Sequence, residues 1–226
     1  MTLDLFAADA PELEDETLSP GAIVLRGFVG AREAALREAV ARVSAAAPFR
    51  HLVTPGGFRM SVAMTNCGEL GWVSDRRGYR YDPVDPESGA RWPALPPALR
   101  ALAREAAARA GYADFIPDAC LLNRYAPGAR LSLHQDRDEK DLRAPIVSVS
   151  LGLPAVFLWG GDARGDTTRK VAVHHGDVVV WGGPSRLRFH GVQALKDGEH
   201  PFAGGHRINI TFRKVRSESA VPSVSE

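Results

Sequence analysis

From residue 118 onward apolar and polar positions alternate in short runs, and most of these runs end in Gly- or Pro-rich turns. The runs are ACLLNRYA, LSLHQD, IVSVSLGLPAVFLWG, KVAVHH, DVVVW, RLRFHGV and HRINITFRKV, parted by turns such as APGA, GGDARGD and GGPS. Alternation with period two predicts strands, and many short strands with turns between them predict a sandwich, jelly roll or barrel. The first half is different. AIVLRGF, Ala22 to Phe28, reads as a strand, and AREAALREAVARVSAAA keeps helical spacing until Pro48 stops it. PPALRALAREAAARAGY opens on Pro96 and Pro97 and closes on Gly111, the order of breakers expected for a second helix. Two such helices covering one face of the main sheet make the expected class α+β. Between them a Gly-, Pro-, Asp- and aromatic-rich segment, about residues 50–95, reads as a loop-rich lid. The expected plan is an arm over 1–20, one domain over 21–215 and a polar, disordered tail over 216–226.

Composition narrows this only a little. A chain of 226 residues with 45% hydrophobic and 24% charged positions has the material for one compact core. A net charge of +1 means that a nucleic acid partner would be met by a local basic patch, not by the field of the whole protein. The N-terminus, MTLDLFAADAPELEDE, is acidic where a signal peptide is basic, and no apolar run reaches the length of a membrane span. A cytoplasmic protein with no membrane partner is expected. Cys67 and Cys120 are too few for a thiolate zinc site and read as small buried hydrophobes.

In LSLHQDRDEKDLRAP the strand pattern gives way to charge at a histidine. His134 and Asp136 stand two apart, so on one strand their side chains would converge on the same side. His190, in RLRFHGV, is expected on a strand that returns antiparallel beside DVVVW. An HxD with a distant His is the two-His, one-carboxylate face that leaves positions open on ferrous iron. The HxD alone is weak evidence, because histidine has many other roles. In HRINITFR, Arg207, Asn209, Thr211 and Arg213 share one face. That face fits either an edge strand open to solvent or a clamp of two guanidinium forks on a small dicarboxylate. Asn123 and Tyr125 in NRY pose the same choice between a surface pair and a second polar face.

Together, VTPGGFRMSVAMTNCGELGW, NRYAPGARLSLHQDRDEKDLRAPIVSVSLGLPAVF, HHGDVVVWGGPSRLRFHGV and RINITFR resemble the AlkB-like nucleic acid dealkylases, iron(II)- and 2-oxoglutarate-dependent dioxygenases. The likeness runs from about Leu3 to Arg213. It implies an α+β fold with a double-stranded β-helix (jelly-roll) core, helices packed on one sheet and an N-terminal nucleotide-recognition lid. It implies that His134, Asp136 and His190 hold Fe(II). Asn123, Tyr125, Ser148, Arg207, Asn209 and Arg213 become the 2-oxoglutarate contacts, with Arg207 on the distal carboxylate and Arg213 at the end near iron. Met64, Trp72 and Tyr79 belong to the lid and base pocket, Arg137, Asp138 and Glu139 to the base and adjoining phosphates, and Arg164 to a further strand contact. Phe58 departs from the family pattern by standing in place of a tyrosine, and Arg130 and Arg137 replace lysines, which alters phosphate geometry.

The implied reaction consumes O2 and 2-oxoglutarate to remove N-alkyl groups, as from 1-methyladenine and 3-methylcytosine, with release of formaldehyde. The implied substrate is alkylated DNA, single-stranded or duplex, or RNA, acted on by a monomer. These lesions lie on the Watson–Crick edge, so a duplex would have to release the base by flipping. A dioxygenase acting on a protein or small molecule would carry a different lid, and a non-catalytic nucleic acid binding module would lack a ligand. A zinc hydrolase would leave the arginines unexplained, and HExxH is absent.

Overall fold

The computed structural model of the protein describes residues 14–217. It begins with a hairpin of β1 (Glu16–Ser19) and β2 (Ala22–Leu25), so the end of the expected arm is already part of a sheet. The rest of the arm, residues 1–13, and most of the expected tail, residues 218–226, lie outside the described residues. Arg216, inside the expected tail, is fastened to Asp118 through its backbone N–H and to Glu69 through its guanidinium. β2 stops short of Phe28, as Gly27 takes φ +58 and Arg26 pairs with Glu16 and Asp177.

α1 (Glu33–Ala46) buries Leu36, Ala39 and Val43 as one stripe. Next come β3 (Arg50–Val53), β4 (Arg59–Gly68), β5 (Gly71–Asp75) and β6 (Gly78–Asp82), which corrects the loop-rich reading of this segment. SDRRG lacks an Asn-Gly or Asp-Gly signal, yet it closes a hairpin, because Asp75 Oδ1 accepts the Arg77 N–H at 2.8 Å and Gly78 takes φ +120. α2 (Pro97–Arg109) buries Leu99, Leu102, Ala103, Ala106 and Ala107. The rest is strand: β7 (Ala119–Tyr125), β8 (Leu131–His134), β9 (Ile146–Gly152), β10 (Ala155–Trp159), β11 (Arg169–Val173), β12 (Val178–Trp181), β13 (His190–Val192) and β14 (Arg207–Arg213).

One sheet runs β1-β2-β12-β9-β14-β7-β4-β3, a second β11-β10-β13-β8, and β5-β6 stand apart as a hairpin. The two larger sheets share an apolar layer with Tyr125, Ile146, Phe157, Trp159, Val171 and Trp181. The other face of the large sheet packs Val149, Leu151, Val180, Ile210 and Phe212 under α1 and α2. This is the jelly-roll sandwich with helices on one sheet.

Two strand readings need correction, and both matter for the site. IVSVSLGLPAVFLWG is not one strand: at Gly152 φ is +85, a Cβ would lie 2.6 Å from His206 O, and the chain leaves the large sheet for the small one. RLRFHGV does not return beside β12. Gly183–Ser185 form a turn of 3-10 helix, Arg186 is drawn into the interior, and only His190–Val192 pair, with β10 and β8.

Candidate metal centre and cosubstrate pocket

His134 ends β8 and His190 begins β13, and the two are direct register partners. Their rings lie 4.4 Å apart, centroid to centroid. Asp136 stands past the end of β8, so hydrogen bonding rather than strand alternation brings it to them. Its Oδ1 is 3.6 Å from His134 Nε2 and 3.9 Å from His190 Nε2, and its Oδ2 accepts from Arg213 Nε at 3.0 Å and Nη2 at 2.8 Å. Among the described residues these three form the one His/Cys/Asp/Glu group with metal-ligand spacing, all three ligand atoms lying within 4.8 Å of one another.

Protonation shows what such a cluster is suited to hold. His134 Nδ1 is 2.9 Å from Ser132 O and His190 Nδ1 is 3.0 Å from Arg188 O. A carbonyl only accepts, so each Nδ1 carries a proton and each Nε2 is the ring nitrogen that faces Asp136 Oδ1. Burial, with His134 beside it, pushes the His190 pKa down to about 3, so this imidazole is neutral near pH 7. Burial alone would raise the Asp136 carboxyl, but the charge set against it, foremost the Arg213 guanidinium, prevails and holds the group ionised. Two imidazole Nε2 atoms and a carboxylate oxygen facing one another suit a cation, and this donor set suits Fe(II).

The polar face of β14 points to the same interior. β14 lies between β7 and β9 with every residue buried, so the edge-strand reading fails. Asn123 and Tyr125 are buried too, which removes the surface-pair reading. Asn123 Nδ2 donates to Asn209 Oδ1 at 3.3 Å, and Asn209 Nδ2 donates to Ser148 Oγ at 2.8 Å. Arg207 lies 5.1 Å from the Tyr125 ring centroid and donates to Ser150 Oγ at 2.9 Å. Its Nε and Nη1, and Asn123 Oδ1, have no hydrogen-bond partner among the described residues. Burial of the guanidinium lowers its pKa, opposed by Tyr125. A buried cation with two idle donors is costly without an anion, and a small carboxylate supplies one. Ser150, two residues after Ser148 on the same face of β9, joins this pocket without any motif of its own to mark it, its period-two spacing from Ser148 being the one signal in the sequence.

Met64 is buried on β4, and Trp72 and Tyr79 stack with ring centroids 5.5 Å apart. Tyr79 is 50% exposed, and Trp72 Nε1–H donates to the exposed Asp138 at 3.0 Å. Arg137 is exposed, and Arg164 reaches from the surface to Leu133 O while lying over the Phe189 ring. Glu139 differs from expectation. It is 6% exposed, accepts from Tyr81 Oη at 2.5 Å and pairs with Arg186 at 3.0 Å, so it faces inward rather than toward a phosphate. A cavity of about 260 Å3 between β3, β4 and β5 touches Met64 but none of the three ligand candidates, so it is not the reaction site.

The family described as the 2OG-Fe(II) oxygenase superfamily matches residues 21–213. The chain belongs to this superfamily. It is similar to the alpha-ketoglutarate-dependent dioxygenase AlkB of Salmonella typhimurium, 58% identical over 212 residues that cover 94% of this chain and 97% of that one. The protein of the same name from Escherichia coli is 57% identical over 213 residues, with the same coverage of 94% and 97%. Among solved structures, that of OsALKBH1 superposes with a TM-score of 0.77 at 28% identity, over 89% of this chain and 100% of that one. The enzyme is an Fe(II)- and 2-oxoglutarate-dependent dioxygenase.

Proposed function

We propose that the enzyme reverses alkylation damage in DNA by oxidative removal of N-alkyl groups from bases such as 1-methyladenine and 3-methylcytosine. One observation carries the reading: a two-His, one-carboxylate face is bonded through Arg213 to the strand that also carries a buried guanidinium with idle donors, and the loop after its carboxylate is bonded to a hairpin bearing a partly exposed aromatic stack. The AlkB proteins named above support the same reaction class.

His134, Asp136 and His190 would hold Fe(II), with the imidazoles fixed by their Nδ1–H bonds to backbone carbonyls. Arg207 would receive one carboxylate of 2-oxoglutarate and Arg213 would border the other, while Asn123, Tyr125, Ser148 and Asn209 complete the pocket. Bound there with O2, Fe(II) and 2-oxoglutarate would supply the chemistry for hydroxylating the alkyl carbon, one oxygen atom going to that carbon and the other to succinate as CO2 is lost, and the hydroxylated alkyl group would leave as an aldehyde. Trp72 and Tyr79 offer planar surface to a base drawn out of its stack, offsetting part of a flipping cost of a few kcal/mol. Asp138 adds negative charge at the mouth, where Arg137 and Arg164 provide cations for the backbone. All these groups lie in one chain, so a monomer is sufficient. The chemistry fits a reducing compartment, the cytoplasm, and no helix among the described residues is long and apolar enough to cross a membrane.

The test is incubation with Fe(II), ascorbate, 2-oxoglutarate and an oligonucleotide carrying 1-methyladenine, reading formaldehyde and strand mass. Single-stranded DNA, duplex DNA and RNA form parallel arms. His134→Ala, Asp136→Ala and His190→Ala are each expected to abolish turnover; near-wild-type dealkylation by the Asp136 variant would refute the assignment.

A further inference from the structure

The ligand candidates come from two stretches of chain, and strand pairing holds those stretches together only weakly. β13 has three residues, and its register against β8 shifts between His190 and Val192. Asp136 lies beyond the paired residues altogether. Something else must set its position. Arg186 precedes His190 by four residues and is 3% exposed. Its Nη1 donates to Asp136 O at 2.5 Å, its Nε to Ala144 O at 2.9 Å and its Nη2 to Glu139 Oε2 at 3.0 Å. One planar fork thus ties the chain leading to His190 to three points on the loop that carries Asp136. The ring then closes. Glu139 Oε1 lies 3.4 Å from Arg213 Nε, and Arg213 holds Asp136 Oδ2, so the ligand is gripped at both its carbonyl and its carboxylate. Two cations and two anions balance, as charges this deeply buried require. Tyr81, on the lid hairpin, donates into the same ring through Glu139.

We propose that Arg186, acting with Glu139, is a positioning residue of the metal centre: it aims Asp136 Oδ1 at the two imidazoles and joins the two ligand-bearing segments. This rests on the ligand assignment proposed above. Lysine at this position keeps the charge but offers one point of donors where the guanidinium spans three acceptors. Groups that orient ligands from behind are worth about 10- to 100-fold in metal affinity. A purely structural ion pair would instead affect stability and leave metal affinity unchanged.

The experiment is titration of the apoprotein with Co(II), followed by visible absorbance, alongside circular dichroism and thermal melting. Arg186→Lys is expected to weaken Co(II) binding about 10- to 100-fold in a protein that still melts cooperatively. Glu139→Gln is expected to shift it in the same direction, and decides the matter if Arg186→Lys does not fold. Arg26→Lys, at the buried Arg26–Asp177 pair far along the sheet, serves as the control: it is expected to lower the melting temperature with unchanged Co(II) affinity. Wild-type Co(II) affinity in folded Arg186→Lys and Glu139→Gln overturns the inference. Wild-type protein whose Co(II) spectrum is unaffected by His190→Ala overturns the ligand assignment beneath it instead.

Discussion

Arg207 and Arg213 stand six apart on the same face of β14, yet they have different partners. Arg213 is committed to Asp136 and Glu139, which raise its pKa against the effect of burial. Arg207 keeps two donors idle. Arg207→Lys is therefore expected to raise the KM for 2-oxoglutarate by about tenfold, the value of a lost charge-assisted hydrogen bond, with oligonucleotide affinity little changed. Steady-state kinetics at varied 2-oxoglutarate measures this, and an unchanged KM would show that Arg207 is not the carboxylate partner. At Asp138 the question is charge. The 1-methyladenine and 3-methylcytosine lesions are cationic, while etheno-adenine is neutral. Asp138 is exposed, so its attraction for a cationic base is about 1 kcal/mol, or roughly fivefold in kcat/KM. Asp138→Asn keeps an acceptor for Trp72 and is expected to slow repair of 1-methyladenine about fivefold more than repair of etheno-adenine. Equal losses on both substrates would mean that the carboxylate does not read the charge of the lesion.

Among the elements, the β5–β6 hairpin is bonded by two side chains to the loop that carries Asp136. Trp72 and Tyr81 are cross-strand partners on β5 and β6, and they donate to the consecutive carboxylates Asp138 and Glu139. The hairpin is thus pinned to the loop that follows the metal ligand. A second anchor joins β3 to the turn at residues 85–90. Arg50 pairs with Asp85, which also accepts from Ser88 Oγ and the Glu87 N–H. Burial would raise the Asp85 pKa, but Arg50 and these donors prevail and hold it below the ordinary value of 3.8. A carboxyl with a depressed folded pKa stabilises the fold above its unfolded pKa, and that stability is lost as pH falls through the folded value. Melting temperature measured from ~pH 6 to ~pH 3 is thus expected to fall less steeply on the acid side in Asp85→Asn than in wild type. Parallel curves would assign the acid sensitivity elsewhere.

For the whole molecule, a bound ion would join the end of β8, the loop that follows it and the start of β13, segments that strand pairing alone holds loosely. A ligand that binds only the folded state at about 100 times its Kd adds roughly 2.7 kcal/mol. For a chain of this length that is a rise of roughly 5 to 10 °C in Tm. Scanning calorimetry with and without Co(II) should show this rise in wild type and no rise in Asp136→Ala. An equal rise in both would place the ion elsewhere.

The amino-acid sequence by itself determined the class of fold and singled out the three candidate ligands that the structure brings together. Period-two alternation in RINITFR separates the arginine face from the apolar face, and α1 and α2 end at their prolines and glycine, because these signals are local and act within a few residues. His134, Asp136 and His190 were legible as chemistry from their residue types and from the ordered motifs around them. Their geometry was not. That RLRFHGV would cross to the small sheet and that β14 would be central, not an edge, depended on which strands pair, and pairing is settled by contacts far apart in the chain. The inward turn of Glu139 was hidden for the same reason: a run of charge reads as a solvated loop until Arg186, Arg213 and Tyr81, from three other segments, arrive to satisfy it. Local pattern decides what each segment is, and only the packing of distant segments decides which buried charges find partners and which donors are left free for a ligand.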